Sequence, residues 1–309
     1  MIALEHVSRV FGEFRAVDDV TLEVERGEIL VLIGESGSGK STLLQLMNRL
    51  LEASAGRITL DGRDIATLRP EALRRQTGYV IQGGGLFPHW TVGRNIATVP
   101  ALLGWERERI AARVDELMRL LRLDPVRLLG AYPHQLSGGQ QQRVGVARAL
   151  AANPAVLLMD EPFGALDPVT RAELQAELRR IHEETGSTIV FVTHDMDEAL
   201  SLATRIAILD AGRLVQVGTP VALLTRPAND FVRDFIGARD RGLKLLSVRH
   251  AGELVRKGES AAGEPIGADT TLSAALSEMV TRGTDRLPVV GDGVSGVLVL
   301  ADLVRARET

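Results

Sequence analysis

The stretch that most constrains this chain is Gly34 to Thr42, which reads Gly-Glu-Ser-Gly-Ser-Gly-Lys-Ser-Thr. It follows Ile29-Leu-Val-Leu-Ile33, a short apolar run of the kind that forms a fully buried strand. It precedes Leu43 to Leu51, which is rich in helix formers. Strand, glycine loop and helix is the context required of the phosphate-loop motif G-x-x-x-x-G-K-[ST]. Gly34, Gly37 and Gly39 let the backbone turn sharply and approach a ligand closely. The N–H groups of the loop, which also contains Glu35, Ser36, Ser38 and Thr42, then converge on an anion at a helix N-terminus. Lys40 is expected to reach the β- and γ-phosphates of a nucleotide, and the Ser41 hydroxyl to ligate Mg²⁺. The bland alternative, a glycine-rich turn beside a surface lysine, does not need the whole motif in this context. Lysine usage points the same way. Lys40, Lys244 and Lys257 are the only lysines in an arginine-rich chain. A compact ammonium suits phosphate where a planar fork does not.

A chain of 309 residues, 45% hydrophobic, has room for one large α/β domain and a smaller one. Its net charge of −4 argues against a general nucleic-acid binder, so no nucleic-acid partner is expected. Without cysteine there is no disulfide, thiolate metal site or cysteine nucleophile. Met1 to His6 shows no signal-peptide pattern. No apolar stretch approaches the ~20 residues that span a bilayer. The expectation is a soluble protein that meets any membrane through a partner.

Taken in order, Ile2 to Val7 and Val20 to Val24 alternate like half-buried antiparallel strands. Phe11 and Phe14 flank Gly12 on the intervening loop. Phe11 is the first candidate to stack on a purine and Phe14 the second; an edge-of-core phenylalanine is the alternative. Gly78 to Ile81 reads as a strand ending at Gln82. Gly83-Gly84-Gly85 then reads as a mobile loop. Leu86-Phe87-Pro88 offers either a contact surface for another protein or a cover for the core. Glu106 to Arg122 has the apolar spacing of a helix, stopped by Asp124-Pro125. Leu136-Ser137-Gly138-Gly139-Gln140 opens a second helix, with Ser137 as its N-cap and a second anion site that has no lysine of its own. Ala155 to Met159 is a buried strand delivering Asp160 and Glu161. Carboxylates at the C-terminal end of a parallel strand sit where α/β proteins bind ligands, here expected on a strand neighbouring the phosphate loop. Asp160 would hold Mg²⁺ and Glu161 would polarise a water. A further strand, Ser187 to Thr193, delivers His194, a γ-phosphate contact if it is not simply structural. Gly237 to Gly242 reads as a charged linker.

With these motifs in this order, residues 1 to about 237 resemble the nucleotide-binding subunit of ATP-binding cassette (ABC) transporters. The resemblance implies an α/β fold: a P-loop ATPase core with an antiparallel β subdomain and a helical subdomain. It implies adenine stacking by Phe11 and sensing of Mg²⁺ and water by Gln82. It gives Ser137, Gly138, Gly139 and Gln140 the role of a signature that meets ATP held by the other subunit. Asp160 becomes the Mg²⁺ ligand, Glu161 the catalytic carboxylate, Asp167 a cross-interface aspartate and His194 the switch histidine. It further implies ATP and Mg²⁺ as cofactors and a homodimer on the cytoplasmic face of the membrane, with permease subunits and an extracytoplasmic substrate-binding protein as partners.

Gly78 to Gln82, Gly85 to His89 and Asn95 to Trp105 resemble importers of glycine betaine, carnitine and choline more closely. Amino-acid or polyamine import is the rival within transport, and a non-transport ABC ATPase the rival outside it. Gly83 departs from the pattern, since that family tends to carry a second glutamine there. Residues 243–309 resemble a cystathionine-β-synthase (CBS) module, a small α+β regulatory unit with Gly291 to Gly293 as its turn. Such modules work in pairs, yet one is present here, so pairing is expected across the homodimer. The expected domains are thus 1–237 and 243–309, joined by 238–242.

Overall fold

The computed structural model describes residues 1–304 except 165, 238, 239 and 292. Ala238 and Arg239 of the expected linker, Asp292 of the expected turn and 305–309 therefore lie outside the described residues. Two compact units result. One holds Met1–Asp195 and Leu202–Val215; the other holds Met196–Ser201 and the chain from Gln216 onward.

The strands of the first unit are β1 (Ile2–Phe11), β2 (Phe14–Val24), β3 (Ile29–Gly34), β4 (Ala55–Leu60), β5 (Arg63–Asp64), β6 (Thr77–Val80), β7 (Val156–Asp160), β8 (Thr188–Val192) and β9 (Arg205–Asp210), with β10 (Arg213–Gly218) running on into the second unit. They make two sheets, ordered β2-β1-β4-β5 and β10-β9-β3-β8-β7-β6. The first is antiparallel, and its alternation of buried and exposed residues suits a sheet with one wet face. In the second, β6, β7, β8, β3 and β9 run parallel. Every residue of β3, β7 and β8 is buried, as a sheet covered on both faces requires.

Three expectations need correction. The strands carrying the phosphate loop and the carboxylates are not neighbours; β8 lies between β3 and β7. Phe11 and Phe14 are not on a loop, because β1 and β2 extend to pair them across a tight hairpin. Gly83 to Gly85 is seated rather than free: Arg148 donates from Nη1 to Gly85 O at 2.9 Å and from Nη2 to Gly84 O at 3.1 Å.

The helical part of the unit contains Arg107–Leu120, whose Val114, Leu117 and Met118 are buried, and Gly138–Leu150, which starts at the signature. Between β6 and these helices, Asn95 is fully buried and saturated. Its Nδ2 donates to the carbonyls of Phe87, Trp90 and Thr91 at 3.2, 3.1 and 3.1 Å, and its Oδ1 accepts from Phe87 N at 2.9 Å. Phe87, Pro88 and His89 stay exposed on the segment so fixed.

The second unit has its own sheet, β11 (Arg256–Lys257), β12 (Ile266–Gly267), β13 (Arg286–Gly291) and β14 (Val294–Val299), in the order β11-β14-β13-β12. The helix Leu272–Arg282 covers it, burying Leu272, Ala275 and Met279 with Leu287, Val289 and Leu298. Compactness draws the border earlier than 237, because the helix Arg241–Val248 packs on the preceding ones. Lys244 Nζ, for instance, donates to Ile236 O at 2.9 Å. Part of the expected linker, Arg241 and Gly242, is helical.

Asn95→Ala strips the donor from three carbonyls and the acceptor from Phe87 N–H. The expected cost is about 1–3 kcal/mol of stability, read from the urea midpoint at unchanged m.

Candidate functional site

The C-terminal ends of β3, β8, β7 and β6 fall along one sheet edge, where open α/β sheets bind ligands. In that order they deliver the phosphate loop, His194, Asp160 with Glu161, and Gln82. The helix Lys40–Met47 begins with Gly39 as its N-cap and no side-chain cap, so its first N–H groups face the loop uncapped. Gly39 stands at φ 95°, and a Cβ there would lie 2.2 Å from Ala16 O. A Cβ at Gly34 would lie 2.1 Å from Leu209 O.

Lys40 is only 7% exposed. Its Nζ donates to Gly34 O at 2.9 Å, Glu35 O at 2.7 Å and Ser38 Oγ at 3.2 Å. Burial lowers its pKa, opposed by the charges of Glu161 and Asp160. Ser41 Oγ donates to Asp160 Oδ1 at 2.8 Å. Burial pushes the Asp160 carboxyl up; the Ser41 hydrogen bond pulls it back, Glu161 raises it and Lys40 lowers it. A cation beside Asp160 would offset that burial. A hydroxyl and a carboxylate oxygen in contact suit Mg²⁺, which is commonly held by one or two carboxylates together with substrate phosphates. Among the described residues no cluster of three or more acidic, His or Cys groups could hold a metal without such help.

Glu161 follows β7 at φ 44°, an uncommon conformation for a residue with a side chain. Its backbone N–H bonds Val192 O at 3.1 Å, tying it to β8. Gln82 Nε2 donates to Glu161 Oε2 at 2.8 Å, and His194 Nδ1 lies 3.4 Å from Glu161 Oε1. The three residues expected to act on a water and a γ-phosphate are therefore one connected group. Tyr79, one strand over, missed by sequence reasoning, has its hydroxyl pushed up to about 12 by burial and by Asp160.

The signature residues form a separate cluster. Ser137 Oγ accepts from Gln140 N at 3.2 Å while Gln140 Oε1 accepts from Ser137 N at 3.0 Å, a reciprocal capping box. Gly138 has open space beside it, and a Cβ at Gly139 would lie 2.9 Å from Thr170 Cγ2. Asp167 caps the helix Pro168–Thr185, accepting from Val169 N and Thr170 N at 3.1 Å each. Hydrogen bonding from Thr170 holds its carboxyl below the usual range.

Phe11 is partly exposed, with the Arg9 guanidinium 4.4 Å from its ring centroid. Phe14 is more exposed. Arg9 was invisible to motif reading. Two residues apart in a strand put it on the same face as Phe11, and that spacing was the available signal.

The family model for ABC transporters matches residues 17–164, and that for CBS domains matches 265–309. The chain is 57% identical over 290 residues to the glycine betaine uptake system ATP-binding protein YehX of Escherichia coli, covering 94% of each. It is 50% identical to the glycine betaine/carnitine/choline transport ATP-binding protein OpuCA of Bacillus subtilis, covering 94% of this chain and 75% of the relative. Among solved structures it resembles the dimeric post-hydrolysis state of the ATP-binding cassette MJ0796 bound to ADP and Pi. There the TM-score is 0.66 at 34% identity, over 71% of this chain and 99% of the other.

Asp160 gives a pH-dependent prediction. Its folded-state pKa is raised, so the fold disfavours its charge. That penalty is absent below the unfolded value of ~3.9 and grows as pH rises towards and through the folded one. In the nucleotide-free protein at pH 7, Asp160→Asn, which keeps an acceptor for Ser41, is expected to melt at or above the wild-type temperature. The advantage should vanish near pH 4. Thermal melts across pH check this, and a lower melting temperature at pH 7 contradicts it.

Proposed function

This chain belongs to the ATP-binding subunits of ABC transporters, and from that premise we propose that two copies, head to tail, power the import of a quaternary ammonium osmoprotectant. The solute class rests on the glycine betaine, carnitine and choline systems named for the similar proteins. The dimeric state of the similar cassette supports the pairing.

One observation carries the hydrolytic reading: Glu161 is bracketed by Gln82 and His194 at the sheet edge where Lys40, Ser41 and Asp160 converge. The phosphate loop, with Gly34, Glu35, Ser36, Gly37, Ser38, Gly39, Lys40, Ser41 and Thr42, would cradle the ATP phosphates. Phe11 would stack on the adenine by the ring face that Arg9 leaves open. Ser41 and Asp160, with Gln82, would hold Mg²⁺, which when bound neutralises charge on the β- and γ-phosphates. Glu161 accepts a proton from the attacking water, and Gln82 orients that carboxylate. His194, its side chain two-thirds exposed, is free to turn to the γ-phosphate.

Each copy has half of what a site needs. The phosphate loop has the ammonium, while Ser137, Gly138, Gly139 and Gln140 offer donors at a helix start without one. ATP held between the loop of one copy and the signature of its partner favours the closed pair, and hydrolysis removes those contacts. Asp167, which starts the helix whose Thr170 lies under Gly139, would communicate across the same seam. The exposed Phe87-Pro88-His89 segment, pinned by Asn95, would carry the motion to permease subunits, themselves served by a substrate-binding protein. No helix among the described residues is long and apolar enough to cross a membrane, so attachment to its cytoplasmic face would run through those subunits. The functional division proposed is 1–237 for the ATPase and 243–309 for a regulatory CBS module, joined by 238–242 and paired across the homodimer.

Glu161→Gln is expected to keep ATP affinity, lower kcat by about a hundredfold or more, and accumulate as a dimer in Mg·ATP. Turnover assays with size-exclusion chromatography check this. Wild-type turnover, or a chain that stays single at saturating nucleotide, would contradict the reading.

A further inference from the structure

Arg148 lies on the apolar stretch Val144 to Leu150 of the signature helix and is 9% exposed. Burial works against its charge, so its partners must compensate. Two are backbone carbonyls of the triglycine segment, Gly85 O at 2.9 Å and Gly84 O at 3.1 Å. Its guanidinium also lies 5.7 Å from the centroid of the Phe87 ring.

The fit extends along the helix. Residues 141, 145 and 148 share one helical face. A Cβ on Gly145 would come within 3.0 Å of Gly84 O, and one on Gly84 within 3.1 Å of Gln141 O. The buried Gly84 thus lies flush on the signature helix. Its N–H closes a turn onto Ile81 O at 3.0 Å, with Gln82 and Gly83 at the corners and Gly83 at φ 74°. This positive φ gives a physical reason for glycine at position 83. Gln82 is held between β6 on one side and the Arg148 anchor on the other, and from there its amide reaches Glu161 at 2.8 Å.

We propose that Arg148 is a positioning residue for hydrolysis: by clamping the Gly84 and Gly85 carbonyls to the signature helix, it sets the Gln82 amide against Glu161. The helix whose first turn would meet a partner's nucleotide thereby also carries the residue that aims the carboxylate. The two carbonyls are met by two different nitrogens of one rigid planar fork, Nη1 and Nη2, a spacing that the single nitrogen of a lysine does not reproduce. The inference rests on the ATPase reading given above.

The test is a double-mutant cycle on the full chain, with steady-state ATP hydrolysis and equilibrium ATP binding for wild type, Arg148→Lys, Gln82→Ala and the double variant. Arg148→Lys should lower kcat about tenfold or more, the scale of a displaced catalytic group. Its Kd for ATP, set by the phosphate loop, should change less than about twofold, and in the Gln82→Ala background it should change kcat less than about twofold, because nothing is left to position. Gly145→Ala, which pushes the same loop without touching the charge, should follow the same pattern and stands in if Arg148→Lys does not fold. Equal losses with and without Gln82, losses of ATP affinity that match those of kcat, or unchanged turnover would overturn the proposal. Wild-type turnover by Glu161→Gln would instead sink the ATPase reading beneath it.

Discussion

The buried Lys40 ammonium is the interaction on which the candidate site depends. Two carbonyls and a hydroxyl of its own loop satisfy it at 2.7–3.2 Å, and the two carboxylates at the end of β7, Asp160 and Glu161, supply the opposing field. The loop therefore holds its shape around a charge it already contains. On the proposed reading, a phosphate would meet backbone N–H groups already in place, and Lys40 would exchange a loop acceptor for a phosphate oxygen.

That charge also orders what surrounds it. Asp160, raised by burial, is steadied by Ser41 and Lys40, while Glu161 is turned by its positive φ towards Gln82 and His194. The adjacent acids thus enter different networks, one bound to a hydroxyl and the other bracketed by an amide and an imidazole. Neighbouring groups of one chemical type acquire separate work through their surroundings.

The phosphate loop, the Ser137 N-cap and the ends of β3, β7 and β8 were legible in the sequence because each is dictated by near neighbours: apolar runs, N-cap chemistry, glycine where a side chain has no room. Strand order was not, since nothing local in 29–34 or 156–160 says that 188–192 will pair between them. Gly83 to Gly85 was read as mobile because its restraint comes from Arg148, more than sixty positions away along the chain. Phe11 was placed on a loop because bulges after Leu4 break the alternation that would have extended the strand. The small sheet of the second unit was legible in its helix and hairpin, while the outer strands β11 and β12, two residues each, leave too short a pattern to read.

The seating of the phosphate loop bears on how such a chain can diverge. Gly39 is closed in by Ala16 O and Gly34 by Leu209 O, and Gly212 bridges the two sheets by bonding Ser38 O and Asp18 N. At those two positions no side chain is admissible, so selection has no gradation to act on. On the proposed reading, nucleotide affinity would instead be tuned at the rim, at Arg9 and the exposed Phe11, where a substitution can change the grip without breaking the vessel.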